Sequence, residues 1–256
     1  MSKLPKEHKF IDLSDYGRPF AKVIANALKN TTFTPIHVTI AFIIAGIFAI
    51  YCIVHSHYWL AAFFLILKSI LDAADGELAR VKQKPSYTGR YLDSVADILL
   101  NALFFIAIGY IASTPIWICI GAFLGLQLQG TLYNYYYVIL RNKFDGDTTS
   151  RVFENKTPIA LPGEKQKHVN ILFGMYKVLY GAFDKTIYAL DSNAHKGAAL
   201  PKWFMTSVST FGLGFQLLLI ATLLVLGLKS YILPLFLVYT LMVLIFIAIR
   251  KLFYKS

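Results

Sequence analysis

Runs of apolar residues dominate this sequence and set the strongest limit on its fold. Hydrophobic residues make up 57% of the 256 residues, and only 15% are charged. A bilayer core is crossed by about 20 apolar residues in helical form, and in lipid every backbone polar group needs a partner within the protein. We therefore expect an all-α polytopic membrane protein rather than a soluble domain.

Six segments are long and apolar enough to be predicted as transmembrane helices. They are residues 36–54, a second span from Tyr58 into the stretch that contains Asp72 and Asp75, and residues 91–112, 116–140, 203–228 and 231–249. Together they define a predicted transmembrane domain over residues 34–256. Residues 141–200 form a polar cytoplasmic or interfacial insertion in it. Inside the insertion, residues 169–190 are predicted as a re-entrant or surface helix, because Lys177, Asp184 and Lys185 interrupt the apolar run.

The N-terminal segment, residues 1–33, is polar and basic and has no apolar core typical of a cleavable signal peptide. Within it, Phe20, Val23, Ile24 and Leu28 recur at helical spacing and predict an amphipathic helix over residues 13–28. We expect this helix to lie on the membrane surface with its basic residues near anionic lipids. An ordinary soluble helix packed on the cytoplasmic face is the alternative.

Lysine and arginine are distributed very unevenly between the two sides of the predicted spans. The N-terminal segment has six, residues 80–90 have four, residues 141–202 have ten and the C-terminus has three, whereas the loops of the opposite side contain only Lys229. Cytoplasmic loops carry the excess of positive charge, so both termini are expected in the cytoplasm. The net charge of +11 then reflects orientation and contact with acidic lipids, and no nucleic-acid partner is expected.

Four aspartates lie in or beside these apolar runs, namely Asp72, Asp75, Asp93 and Asp97. A charged residue at the centre of a membrane helix costs about 2.5–3.5 kcal/mol on insertion scales. On a helix, Asp75 lies about 60° from Asp72, and Asp93 and Asp97 are four residues apart on one face. Two short stripes of carboxylates can therefore face each other across a turn predicted between Arg80 and Arg90, with the site on the cytoplasmic side.

Two interpretations account for these carboxylates. Ion pairs with Lys68 and Arg80 would neutralise some of them, but two cations do not balance four carboxylates. Divalent cations such as Mg²⁺ prefer oxygen ligands, and two such ions would balance all four. Beside the carboxylates, Gly76 and Ala79 leave room for a substrate, although membrane helices also use small residues simply to pack. Arg80 is a natural partner for a phosphate.

The motif Asp72-x-x-Asp75-Gly76-x-x-Ala79-Arg80, followed after eight residues by Gly89-x-x-x-Asp93-x-x-x-Asp97, resembles the signature of the CDP-alcohol phosphotransferases. These enzymes transfer a phospho-substituted alcohol group from a CDP-alcohol to a second alcohol and release CMP in phospholipid synthesis. The resemblance implies a six-helix fold, a homodimer, and two Mg²⁺ or Mn²⁺ ions bound by Asp72, Asp75, Asp93 and Asp97. It implies that Asp97 is the general base. The nucleotide-binding residues that it implies are Asp72, Asp75, Gly76, Ala79, Arg80, Gly89 and Asp93.

The two substrates are less well defined by the sequence. A site close to the membrane suits a liponucleotide donor such as CDP-diacylglycerol, whose acyl chains stay in the bilayer. Lys68 and Arg141 are candidate ligands of a phosphorylated acceptor such as inositol phosphate or glycerol phosphate. A neutral acceptor such as serine, or a diacylglycerol that receives the headgroup of a soluble CDP-alcohol, is the alternative.

Two other protein classes also keep carboxylates within membrane helices. A cation or proton transporter normally places them near the midplane, often at broken helices, whereas here they cluster toward the cytoplasmic end. An intramembrane prenyltransferase holds metal and pyrophosphate with two aspartate-rich motifs that lie far apart in sequence. Here all four aspartates fall within residues 72–97.

Overall fold

The structure is a computed structural model that describes residues 4–144 and 156–254, so part of the predicted insertion, residues 145–155, lies outside the described residues. All regular elements of the described residues are helical. Besides short 3₁₀ turns, they form these α-helices: α1 Arg18–Leu28, α2 Pro35–Val54, α3 Tyr58–Lys82, α4 Tyr87–Ile111, α5 Ile116–Lys143, α6 Gln166–Leu190, α7 Lys202–Val208, α8 Leu213–Val225 and α9 Lys229–Phe253.

Helices α2, α4, α5 and α9 are long and apolar enough to cross a membrane, and α7 with α8 forms a fifth candidate that is bent by 56°. Helix α3 occupies the place of the predicted second span and has 25 residues. Lys68, Asp72 and Asp75 interrupt its apolar sequence. The described residues thus contain four or five candidate spans, compared with the six that the sequence predicts.

Local sequence explains where α2, α3 and α4 begin and end. Helix α2 starts at Pro35, after Thr34 and His37 form a reciprocal capping box. Helix α3 ends at Gln83, which adopts a left-handed conformation with φ of 52°. Helix α4 starts after Ser86, whose hydroxyl oxygen accepts a hydrogen bond from the Gly89 amide at 2.8 Å.

The connection between α3 and α4 is shorter than predicted. The expected turn from Arg80 to Arg90 is wrong, because both arginines lie inside helices and only residues 83–86 connect them. Similarly, α4 begins four residues before the predicted start of the third span. Capping by Ser86 extends the helix into this polar sequence, which hydropathy alone does not identify as helical.

The predicted N-terminal amphipathic helix begins at Arg18 as α1. Its small residues Ala21 and Ala25 are buried against Ala74 of α3, whereas Phe20 and Val23 are 63% and 68% exposed. The apolar stripe is therefore divided between packing on α3 and an exposed surface.

The predicted fifth span is broken rather than straight. Residues 209–211 form a 3₁₀ turn between α7 and α8, and Ser209 donates a hydrogen bond to the Thr206 carbonyl at 2.7 Å. The Leu13 amide donates to the Ser209 hydroxyl oxygen at 2.9 Å. A Cβ atom on Gly214 would collide with the Ser14 carbonyl oxygen. The N-terminal segment thus packs into the break, and glycine at this position permits the close approach.

Helix α6 begins three residues before its predicted start and packs against α4 and α5. It is not among the candidate spans. Most of its residues are exposed or partly exposed, with Val169, Phe173 and Ile187 buried. This helix therefore covers one side of the carboxylates that α4 carries.

Candidate active site

Helices α3 and α4 bring three of the four predicted aspartates together. Asp72 and Asp75 are on α3, Asp93 is on α4, and each offers one carboxylate oxygen to a group whose members all lie within 4.8 Å of one another. Like charges at this separation repel each other strongly. The group therefore needs a counter-cation or protons.

Each aspartate has a distinct set of neighbours. The Thr39 hydroxyl of α2 donates a hydrogen bond to Asp75 Oδ2 at 2.7 Å and fixes that carboxylate. Among the described residues, Asp93 Oδ1 is buried without a hydrogen-bond partner. Asp97 is outside the group of three and accepts a hydrogen bond from the ammonium of Lys68.

The three grouped aspartates fit a hard divalent cation. All their donors are carboxylate oxygens, which Mg²⁺ and Mn²⁺ prefer, and the Asp93 oxygen without a partner is available as a ligand. One ion can contact an oxygen from each residue with small side-chain adjustments. A fourth ligand from Asp97 and a second ion stay predictions.

Lys68 is fully buried next to the aspartates, with its side chain 0% exposed. It pairs with Asp97, lies 3.6 Å from Asp72 Oδ2, and has its ammonium 4.9 Å from the centre of the Phe42 ring. A buried charge is stable only when paired. Lys68 thus supplies a fixed positive charge to the aspartate site.

One cavity of about 370 Å³ lies on the side of the aspartates formed by α2, α3 and α4, and we call it the glycine-lined cavity. Its walls include most of the predicted nucleotide-binding residues, which are Asp75, Gly76, Ala79, Arg80, Gly89 and Asp93. Asp72, the remaining one, lines a different cavity. A Cβ atom on Gly89 would lie 3.2 Å from the capping Ser86 hydroxyl oxygen, so glycine keeps this corner uncrowded.

A second cavity of about 450 Å³ lies on the other side, between α4, α5, α6 and α8, and we call it the polar cavity. Asp72, Asp93 and Asp97 form its end near the aspartate group, and amide and hydroxyl side chains line much of the rest. Both cavities contact Asp93 and Arg90. Two molecules bound in the two cavities would therefore meet at the aspartates.

Neighbouring side chains hold Arg80 at the glycine-lined cavity. Its Nη2 atom is 2.9 Å from Glu77 Oε1, and Arg18 of α1 pairs with the same carboxylate. Glu77 is buried between the two guanidinium groups. Sequence analysis did not identify Glu77 as part of the site.

The start of α4 is held by Glu164, from the connection that precedes α6. Its carboxylate accepts hydrogen bonds from the Ser86 hydroxyl at 2.7 Å and from the Thr88 amide at 2.7 Å. Burial alone would raise the pKa of Glu164, but these bonds and the one from the Leu161 amide outweigh it and keep the pKa below its ordinary value. A carboxylate at a helix N-terminus is also favoured by the helix dipole.

Within the described part of the chain, neither Lys68 nor Arg141 lines either cavity. Lys68 is paired with Asp97, and the Arg141 guanidinium is 5.0 Å from the centre of the Tyr137 ring. Contact of these two side chains with a phosphorylated acceptor stays a prediction.

Several site residues were missed by sequence analysis, including Thr39, Asn101, Gln127, Tyr176 and Tyr180. The first three are polar residues inside apolar helices, and polar residues there are often functional. The two tyrosines are four residues apart on α6, so their shared face was visible in the sequence. The sequence does not show that this face of α6 lies next to the aspartates.

The fold and site define a helical integral membrane protein with a candidate metal-binding aspartate group at the meeting point of two cavities. The profile of the CDP-alcohol phosphatidyltransferase family matches residues 32–161, slightly more than half of the chain. The chain therefore belongs to this family, and the resemblance predicted from the aspartate motif is confirmed.

A curated relative from Thermococcus kodakarensis, the bifunctional IPC transferase and DIPP synthase, is 33% identical over 122 residues. The alignment covers 46% of this chain and 27% of the relative. The matched part is thus about a quarter of the larger protein.

Proposed function

We propose that this protein transfers a phospho-alcohol group from a CDP-alcohol, with CDP-diacylglycerol as the donor, to the hydroxyl of a second alcohol and releases CMP. Family membership supports the reaction class. The observation that carries the proposal is the convergence of three aspartates where the two cavities meet. A transfer reaction needs two bound substrates with their reacting atoms adjacent.

In this proposal the CDP moiety occupies the glycine-lined cavity. Gly76, Ala79 and Gly89 leave space for it, and Arg80, oriented by Glu77, binds a phosphate oxygen. Asp72, Asp75 and Asp93 hold divalent metal ions, which stabilise charge on the transferring phosphate when bound. The donor's acyl chains reach the bilayer beside the helices.

The acceptor occupies the polar cavity, where Asp97 is the general base. The acceptor oxygen forms a bond to the transferred phosphorus, the bond from that phosphorus to the CMP phosphate oxygen breaks, and Asp97 takes the acceptor proton. This role requires hydrogen-bond reach between Asp97 and the attacking hydroxyl, and Asp97 lines the polar cavity. Lys68 positions Asp97 through its ion pair.

We also propose six spans, with α3 as the second and the bent α7–α8 pair as the fifth. At 1.5 Å per residue, α3 is about 37 Å long, enough to cross a bilayer. The distribution of lysine and arginine supports cytoplasmic termini and a cytoplasmic active site. We further propose that two copies of the chain form a homodimer, which rests on family membership.

The test uses the purified full chain with CDP-diacylglycerol, Mg²⁺ and a panel of alcohols, and measures CMP and the lipid product. Asp93→Asn is expected to lower turnover about a thousandfold, because metal-ion catalysis supplies several kcal/mol and each tenfold costs about 1.4 kcal/mol. Chelation of the metal should have the same effect. Glu7→Gln, an exposed carboxylate far from α3 and α4 in sequence, is the matched control.

Two results would contradict the proposal. One is substantial CMP release by the Asp93→Asn variant while the protein stays folded. The other is ion flux through reconstituted vesicles without any CMP release, which would favour a transporter.

A further inference from the structure

The polar cavity contains two buried amide side chains whose hydrogen-bonding capacity is incompletely used. Asn101 of α4 is 3% exposed and Gln127 of α5 is 5% exposed, and both line the cavity. Among the described residues, Asn101 Oδ1 and Gln127 Nε2 have no hydrogen-bond partner. Buried polar atoms are normally paired, so these two point to a ligand that pairs with them.

We infer that the polar cavity binds an uncharged polyhydroxyl acceptor, rather than a phosphorylated alcohol or an amino alcohol. The inference rests on the proposed function, because it names the class of the second substrate. The chemistry of the two unpartnered amide atoms is its starting point.

One atom of the pair is an acceptor and the other is a donor. Asn101 Oδ1 needs a donor, and Gln127 Nε2 needs an acceptor. A hydroxyl group provides both functions. An ionised phosphate offers acceptors, while an ammonium offers donors and no acceptor. Each charged group would match only one of the two atoms, whereas the hydroxyls of a polyol match both. The amide pair therefore calls for a polyhydroxyl compound, and the charges of the cavity decide whether it carries a phosphate.

The charges in the cavity favour the same class. The described lining residues include four carboxylates, from Asp72, Asp93, Asp97 and Asp184, but a single cationic side chain, Arg90. A phosphomonoester carries about −1.5 to −2 charges at neutral pH. Arg90 also contacts the glycine-lined cavity, where the donor's phosphates are proposed to bind. Among the described lining residues, a phosphorylated acceptor would therefore find no cationic side chain that serves the polar cavity alone.

The remaining walls suit a polyol in chemistry and size. Tyr176, Tyr180 and Asp184 are spaced four apart along α6 and all line the cavity. The Tyr180 hydroxyl donates to the Ser94 carbonyl of α4 at 2.9 Å, which anchors α6 over the cavity. A volume of about 450 Å³ is within the range of small-molecule sites. Helix α6 thus adds polar groups that the aspartate motif does not provide.

The experiment compares matched acceptors with the purified full chain, CDP-diacylglycerol and Mg²⁺. The pairs are myo-inositol with its 1-phosphate and glycerol with its 3-phosphate, and serine, ethanolamine and diacylglycerol complete the panel. We expect CMP release with the free polyols at a kcat/KM at least about tenfold above that of the phosphorylated and amino alcohols, as for a site that hydrogen-bonds its substrate.

Two variants test the amide side chains. Asn101→Leu and Gln127→Leu are each expected to raise the KM for the polyol about tenfold, the effect of one lost hydrogen bond at a polar site, and to leave the KM for CDP-diacylglycerol unchanged. Thermal stability should stay equal or rise, because a buried polar atom without a partner is removed. Leu124→Ala, on the exposed face of α5, is the control.

The outcomes separate this inference from the proposed function. CMP release that prefers a phosphorylated acceptor, an amino alcohol or diacylglycerol would overturn the acceptor class and leave the transfer reaction standing. Equal losses of donor and acceptor affinity in both leucine variants, with lower stability, would also overturn it. Absence of CMP with every acceptor would overturn the proposed function and this inference with it.

Discussion

Replacing Lys68 with methionine tests whether a buried cation stabilises the aspartate site. Methionine has a similar length and apolar character, so the substitution mainly removes the charge. Lys68 is fully buried and pairs with Asp97, and Asp72 Oδ2 is 3.6 Å from its ammonium. In the variant, both carboxylates would be left in a partly buried site without this counter-charge.

The expected cost is large. Removing one partner of a buried ion pair costs about 3–5 kcal/mol, because the other charge stays buried and unpaired. At about 2–4 °C per kcal/mol for a chain of this size, the melting temperature should fall by roughly 6–20 °C without divalent cations. Mg²⁺ at about 100 times its Kd stabilises a folded protein by about 2.7 kcal/mol. The variant should gain more than the wild type, because the ion also replaces the lost positive charge.

The assay is thermal unfolding of the purified full chain in detergent, with chelator and with Mg²⁺. Lys84→Met is the matched control, since Lys84 is exposed just beyond the end of α3 and its replacement should change stability by less than about 0.5 kcal/mol. If Lys68→Met melted within a degree or two of Lys84→Met in chelator, Lys68 would not neutralise the aspartates. A loss that Mg²⁺ leaves unchanged would mean that the ion does not bind near Lys68.

Two further substitutions test carboxylates outside the aspartate group. Glu164→Gln should lower the free energy of unfolding by about 1 kcal/mol, the scale of a lost helix cap. It should also raise the KM for the donor, because Glu164 holds Ser86 at the glycine-lined cavity. The pKa of Glu164 is lowered in the folded state. Its ionised carboxylate therefore stabilises the fold fully at pH values above the ordinary glutamate pKa of about 4.3. The stability gap between wild type and variant in pH-dependent melting should close as pH falls below that value, and a constant gap would contradict the capping role. Arg250→Met should cost about 3–5 kcal/mol, because it leaves the buried Asp191 carboxylate without its cationic partner. The substrate KM values of the folded fraction should stay unchanged. The double variant with Asp191→Leu should recover part of the lost stability, because the unpaired carboxylate is removed as well. Lys251→Met, at an exposed neighbouring position, is the control. If Arg250→Met melted at the same temperature as this control, the pairing of Arg250 with Asp191 would be refuted.

The sequence alone is sufficient to predict most of the helices and the chemistry of the aspartate motif. Apolar runs of about 20 residues have few alternatives to membrane helices. Within α3 and α4, helical periodicity determines which residues share a face, so it predicts that Asp72 lies beside Asp75 and that Asp93 lies beside Asp97. The eight specified positions of the motif then indicate the family, which the profile match confirms.

The tertiary structure decided everything that depends on helices packing against each other. The pairing of Lys68 with Asp97, the contact of Thr39 with Asp75, and the placement of α6 beside the polar cavity join residues far apart in the chain. The N-terminal segment likewise packs into the break between α7 and α8. Periodicity describes one helix at a time, whereas a cavity is the space left between several helices. Its shape and charge therefore follow only from their arrangement.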